Sequence, residues 1–295
     1  MEGTSPVPTS SRTRLQRQAP YLAQGLDVGL RVLECFLGPE KELGVTEISR
    51  RLGLHKSRAH KALRTLVGRH FLEQQEPNGK YCLGLKLFEL GRRVRNFQYL
   101  CDLANPVLKP VAARHRATVF FRVADREELT QVTVAAVESP DQVRLIIIEG
   151  EQRPIHYGAI GKALLAGCSG AEVKVLLKKS PLRPFTRETI VSTKLLLQEL
   201  ERVRRRGYAT NRNESLPGVR AVAAPVLDQS GAVMGAIGIG RPAAQFLDGD
   251  FESLGQAAVC AALELSQKIG FPGKKLVFPA FNPATKSLTP TGGTK

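Results

Sequence analysis

From Arg50 to His70 the chain carries seven Lys or Arg and three His without one acidic residue. Guanidinium and ammonium groups donate to phosphate oxygens and to guanine edges, and hydroxyl and imidazole groups can donate to either. Ala59, Leu63 and Leu66 recur in this run at helical spacing, which predicts a helix starting near Lys56 or Ser57. That spacing leaves Arg58, Lys61 and Arg64 largely on other faces. A basic, amphipathic helix of this kind could be a solvated surface, could rest on an anionic membrane, or could bind nucleic acid.

Elsewhere the residue patterns that would support catalysis are missing. The run from His156 to Ala163 contains Gly161-Lys162 before a helix. A phosphate-binding loop would need glycine in place of His156 and a hydroxyl residue in place of Ala163. Gly235 to Gly240 is glycine-rich but lies inside a strand-like run, so the dinucleotide fingerprint is absent. No G-x-S-x-G elbow is present, and His115 and His156 stand alone in sequence. The five cysteines are scattered with no C-x-x-C, which argues against a zinc site or disulfide framework and suits a reducing cytoplasm. No catalytic residue, metal site or cofactor is therefore expected, and the chain does not read as an enzyme.

The elements around the basic helix decide its role. A helix is predicted from about Asp27 to Leu37, with Val28, Val32, Leu33 and Phe36 on one face and Gly38-Pro39 as its stop. Thr46 is expected to cap a second short helix that turns Ile48 and Leu52 inward. Gly53 then supplies the permissive backbone for a tight turn. After the basic helix, Phe71–Gln75 and Lys80–Leu83 read as two strands joined by Glu76-Pro77-Asn78-Gly79, which is strong turn chemistry. Helix, turn, basic helix and hairpin together make a winged helix-turn-helix. A membrane-surface helix leaves the hairpin unexplained. The expected DNA contacts are Lys56, Ser57, Arg58, His60, Lys61 and Arg64 on the helix and Lys80 on the wing, each open to base readout or to a phosphate contact.

Beyond the wing, Leu85–Asn96 and about Tyr99 to His115 read as linker helices, the second interrupted or kinked near Pro106 and Pro110. The stripe of Leu87, Phe88, Leu90 and Gly91 could pack within its own domain or form a dimer contact. From Thr118 the pattern changes. Strands are predicted at Val119–Val123, Leu129–Val137, Val143–Ile148, Ala221–Leu227 and Val233–Ile239. Helices are predicted around Gly161–Ala166, Ala171–Lys178, Thr193–Arg206 and Asp250–Ile269. Mixed helices and hairpin-linked strands indicate an α+β domain with an antiparallel sheet, not a doubly wound parallel fold. The expected organisation is a disordered basic arm over 1–22, a DNA-binding domain over 23–84, linker helices over 85–116, a sheet domain over 117–270 and a disordered tail over 271–295.

Glycines at 158 and 161 open a helix whose backbone N–H groups suit an anion, and glycines at 238 and 240 share one strand face and leave room beside it. Asn211, Arg212 and Arg220 lie near the same sheet in sequence. These features fit a small-molecule pocket, the alternative being a close backbone contact.

The length of 295 residues suits two domains, and 42% hydrophobic with 24% charged residues allows genuine cores. No apolar run approaches the roughly 18–20 residues that span a bilayer, and the N-terminus has no apolar h-region of a secretory signal. The net charge of +16 divides into +8 over residues 1–100, +4 over 101–270 and +4 over 271–295.

Several stretches resemble a known family. Gly25 to Leu33, Val45–Leu54 and His55 to Leu63, with Gly79 to Leu87, are similar to the winged-helix domain of IclR-type bacterial transcription regulators. Arg153-Pro154-Ile155-His156 with Gly161 to Ala166, and Gly207-Tyr208-Ala209 followed by Pro217 to Val226, resemble that family's effector-domain signatures. The resemblance covers about Ala23–Phe271. It implies a GAF-like second domain that binds a small metabolite, often an organic or aromatic acid, and alters DNA binding. It matches Ala159 and Ile160 to backbone donors of the pocket, and it brings Tyr157, Asn211, Ala221, Gly238 and Gly240 to positions where small, acidic, cysteine and hydroxyl residues are usual. Such a pocket would be roomier than the family norm and poorer in side-chain hydroxyls. Arg58 stands where a small hydroxylated residue is usual, which bears on operator preference.

The expectation is a cytoplasmic regulator that binds a near-palindromic stretch of double-stranded DNA as a homodimer or dimer of dimers, answers to a small-molecule effector and has no membrane partner. Two other readings remain: a ligand-independent or architectural DNA-binding protein whose second domain only oligomerises, and an enzyme on a small acid with a DNA-tethering module.

Overall fold

The computed structural model describes residues 23–38, 40–91 and 95–276, which divide into two compact units at Arg95/Asn96. The expected arm over 1–22 lies outside the described residues, as does the tail beyond 276.

In the first unit, α1 (Gln24–Glu34) continues as a 3₁₀ turn over Cys35–Leu37. Val28, Val32 and Phe36 recur on one face and are buried. α2 (Val45–Leu52) starts at an uncapped Gly44, so Thr46 lies inside its first turn and does not cap it. Gly53 ends α2 at φ +63°, the left-handed conformation that a side chain would strain. The Ser49 hydroxyl donates to Leu54 O at 2.6 Å and fixes the turn. α3 (Lys56–Gly68) follows from His55, whose backbone is extended. β1 (Leu72–Gln74) and β2 (Tyr81–Leu83) pair antiparallel. Leu43 extends this hairpin by exchanging hydrogen bonds of 3.0 and 2.9 Å with Tyr81, a third partner that propensity did not disclose. Ile48, Leu63, Leu72 and Tyr81 close the core with α1.

α4 (Leu85–Gly91) lies in the first unit, and α5 (Arg95–His115) lies in the second from Asn96 onward. The 85–116 stretch expected as linker is thus divided. From Leu100 onward α5 buries Ala104, Val107, Leu108 and Ala112 against a sheet. It also runs unbroken through Pro106 and Pro110. Each proline removes one backbone donor, and the buried apolar face holds the helix together across them.

The second unit is a six-stranded antiparallel sheet in the order β5-β4-β3-β8-β7-β6. Its strands are β3 (Thr118–Asp125), β4 (Thr130–Val137), β5 (Gln152–Pro154), β6 (Ala209–Arg212), β7 (Val219–Leu227) and β8 (Val233–Pro242). The expected strand at Val143–Ile148 does not form: the segment joins no ladder, and the short β5 pairs with β4 instead. α5 and α9 (Asp250–Ile269) cover one face. α6 (Gly158–Ala166), α7 (Gly170–Lys179) and α8 (Thr193–Arg206) cover the other. Phe271 donates its N–H to Ser266 O, and Phe271 and Leu276 pack on the sheet unit.

Candidate nucleic-acid interface and effector site

α3 divides by face as its spacing requires. Ala59 and Leu63 are fully buried, whereas Lys56, Ser57, Arg58, His60, Lys61 and Arg64 are all exposed. The helix carries no acidic residue in its first turn, so its positive N-terminal dipole end has no local counter-charge. Arg58 Nη2 donates to Gln24 Oε1 at 3.5 Å, a long contact at the start of α1. Lys80 is exposed at the tip of the hairpin, where its N–H donates to Asn78 Oδ1 at 2.9 Å. These groups present long donors on a framework fixed from beneath by the core.

In the second unit, strand register brings the expected effector residues together. Asn211 pairs with Ala221, Ala221 with Gly240 and Gly240 with Thr118, making one row across β6, β7, β8 and β3. The neighbouring row runs Ala209, Ala223, Gly238, Phe120 and Ala136. α6 lies over these rows with Ala159 and Ile160 buried in its first turn. Their N–H groups are among those an α-helix leaves without an intrahelical acceptor. Gly161 sits where a Cβ would come within 2.6 Å of Ile155 O, so only glycine lets α6 approach this closely.

The room expected beside Gly238 and Gly240 is filled. A Cβ on Gly238 would lie 2.6 Å from Phe120 Cζ, and one on Gly240 would lie 2.9 Å from Leu145 Cδ1. The glycines are spacers for the protein's own side chains. Asn211 is committed too: Nδ2 donates to Val219 O at 3.1 Å, and Oδ1 accepts from the N–H groups of Glu214 and Ser215 at 3.1 and 3.0 Å. Arg212 and Arg220 turn to the opposite face and pair with Asp248 at 2.8 and 3.2 Å. Tyr157 is half-buried, edge-on to Phe185 at 4.8 Å between ring centroids, with the Arg153 guanidinium 5.2 Å from its own.

Two buried ionic arrangements escaped the sequence. Lys162 pairs with Glu214 from within α6. Arg122 donates to Thr133 Oγ1 at 3.0 Å and to Glu151 at 2.9 Å, with its guanidinium 5.2 Å from the Phe120 ring centroid. Burial holds the Arg122 pKa below its ordinary value. Gln131 Nε2 donates to Pro154 O and Tyr157 O, both at 3.0 Å, and so ties β4 to the entrance of α6. Neither pair carries a spacing signal, because the partners come from distant segments.

The buried groups that could do chemistry are set against it. Burial, reinforced by the Arg183 charge, pushes His156 down to about 4, and its Nε2 accepts the Arg183 N–H at 3.4 Å. Burial raises the Cys168 thiol to about 12, the reverse of an activated nucleophile. Among the described residues no group of three or more His, Cys, Asp or Glu could hold a metal ion, and no helix is long and apolar enough to cross a membrane.

Comparison with known proteins decides the lineage. The model for bacterial transcriptional regulator IclR C-terminal domains matches residues 96–267, and that for the IclR helix-turn-helix domain matches 25–76. The chain belongs to the IclR family. It is 32% identical to the HTH-type transcriptional regulator KdgR of Dickeya chrysanthemi, over 80% of this chain and 76% of that protein. Among solved structures, an IclR transcriptional regulator from Alicyclobacillus acidocaldarius superposes with a TM-score of 0.75 at 27% identity, covering 85% of this chain and all of that one. An IclR homologue from Microbacterium hydrocarbonoxydans, complexed with 4-hydroxybenzoate, shares the fold with a TM-score of 0.72 at 24% identity over 83% of this chain and 98% of that one. As an IclR-family member the chain is a DNA-binding transcription regulator, and its relatives are regulators rather than enzymes.

Proposed function

We propose that this IclR-family regulator acts in the cytoplasm, binds a near-palindromic operator as a homodimer or dimer of dimers, and changes its DNA affinity when a small organic acid binds the second unit. In this reading residues 23–84 are the DNA-binding domain and 117–270 the effector domain, with the helices of 85–116 coupling them. Lys56, Ser57, Arg58, His60, Lys61 and Arg64 face the major groove and Lys80 a flanking phosphate. The observation that carries the reading is the division of α3 into a buried Ala59–Leu63 edge and an exposed, acid-free basic surface. Exposed Leu85 and Leu90 on α4 support self-association.

The effector site consists of Tyr157, Ala159, Ile160, Asn211, Ala221, Gly238 and Gly240. The N-terminus of α6 favours a carboxylate, and the relative complexed with 4-hydroxybenzoate supports an aromatic acid. Ligand and DNA then influence one another reciprocally.

A gel-shift titration against the DNA flanking its own gene tests this, with and without a panel of organic acids. Operator binding well above that to random DNA, shifted by at least one acid, is expected. Binding no stronger than to random DNA would sink the proposal.

A further inference from the structure

Phe120 is the one large side chain in a row of small ones. Its neighbours across the sheet are Ala209, Ala223, Gly238 and Ala136, which leave a shallow trough beneath α6. The ring folds into that trough over Gly238 and reaches Ile160 of α6, whose Cδ1 would lie 3.1 Å from a Cβ placed on Gly238. A β-bulge between Phe121 and Arg122 interrupts the ladder with β4 one residue further on, between Phe120 and the Arg122 that faces its ring. The Arg122 guanidinium stands at cation–π distance from the ring, held there by Thr133 and Glu151. Leu145 fills the next gap in the same way, over Gly240. Glycine spacer, cation beside a ring and an apolar wall from α6 are what a protein would supply to an aromatic guest. Here the guest is part of the chain.

We propose that Phe120 is the specificity-determining residue of the effector site: its ring holds the place over Gly238 that the site offers to a ligand's ring, and a ligand binds by displacing it. This rests on the assignment of the effector site made above. Leu145 plays the same part over Gly240. Weakly apolar or small acids cannot compensate for the displaced ring, so the site admits aromatic acids and rejects short aliphatic ones.

The test is calorimetric titration of the full chain, as wild type, Phe120→Ala and Phe120→Leu, with 4-hydroxybenzoate and with toluene. Melting curves establish that each variant is folded, and Phe120→Leu serves if the alanine variant is not. Phe120→Ala is expected to bind 4-hydroxybenzoate about tenfold or more tighter than wild type, with Phe120→Leu between them. Each variant should prefer the acid to toluene, because the amides at the start of α6 recognise charge. Equal affinity of wild type and variants overturns the proposal, and so does failure of every variant to bind the acid. Uptake of toluene alone also overturns it, since any truncated core residue leaves an apolar void. The effector reading itself fails by a different result: a panel of acids that leaves operator binding unmoved in wild type and variants alike.

Discussion

Lys162 Nζ lies 2.6 and 2.7 Å from the two carboxylate oxygens of Glu214, with the side chains only 4% and 14% exposed. The pair ties α6 to the β6–β7 connection. Thr189 adds a second tie by donating its hydroxyl to Glu214 O at 2.6 Å. Three segments distant in sequence therefore meet at one residue beside the entrance of α6.

Removing one partner leaves a buried charge uncompensated. Lys162→Met or Glu214→Leu should each destabilise the second unit by about 3–5 kcal/mol, whereas the double variant should recover most of that loss. Urea unfolding followed by circular dichroism reads all three. Equal losses in the single and double variants would show that the ion pair is not what matters.

His156 makes stability depend on pH. Burial, then Arg183, lower its pKa from 6.5 to about 4 in the folded chain, so the unfolded chain binds more protons between those values. Stability is therefore complete above about pH 6.5 and declines as pH falls toward 4, by up to about 3 kcal/mol. In His156→Gln this part of the decline should vanish. A variant whose melting temperature tracks that of wild type across the range would refute the assignment.

On the DNA side, phosphate and base contacts separate by their salt and sequence dependence. Lys80→Ala should weaken binding to operator and random DNA alike and reduce the log–log salt slope by about 0.9. Arg58→Ala should cost about 1–3 kcal/mol and relax preference at one operator position. Fluorescence anisotropy at several salt concentrations distinguishes them. Uniform weakening by both would assign Arg58 to the backbone.

The basic arm over residues 1–22 should add affinity without selectivity. Deleting residues 1–20 is expected to flatten the salt slope, by about 0.9 for each phosphate that the arm neutralises, and to leave the ratio of operator to random binding unchanged. A fall in that ratio would make the arm a reader of sequence.

The winged helix was legible because each of its parts carries a local signal. Val28, Val32 and Phe36 mark a face, Gly53 a turn, and Pro77-Asn78-Gly79 a hairpin. α9 likewise matched its predicted Asp250–Ile269 span, since an amphipathic run between turn residues leaves little choice. The failures share a different cause. Val143–Ile148 has β-branched residues without a partner strand, whereas Gln152–Pro154 has poor propensity and a partner waiting in β4. Gly238 and Gly240 announced space but could not say what fills it, because Phe120 and Leu145 come from elsewhere in the chain. Arg122, Gln131 and Glu151 form their network across three segments and so left no spacing to read. Within-element order was visible, and cross-element occupancy was not.

The bridge between Leu43 and Tyr81 bears on how such regulators could be re-engineered. The hairpin is moored to the chain ahead of α2, so its attachment does not depend on which residues α3 displays. Grafting a foreign α2–turn–α3 between Gly44 and Arg69, with Ile48, Ala59 and Leu63 retained as its footing, should exchange the bases that are read while the wing stays where it was. In the proposed reading α3 chooses the sequence and Lys80 on the wing grips a flanking phosphate, so a designer could change the first without rebuilding the second.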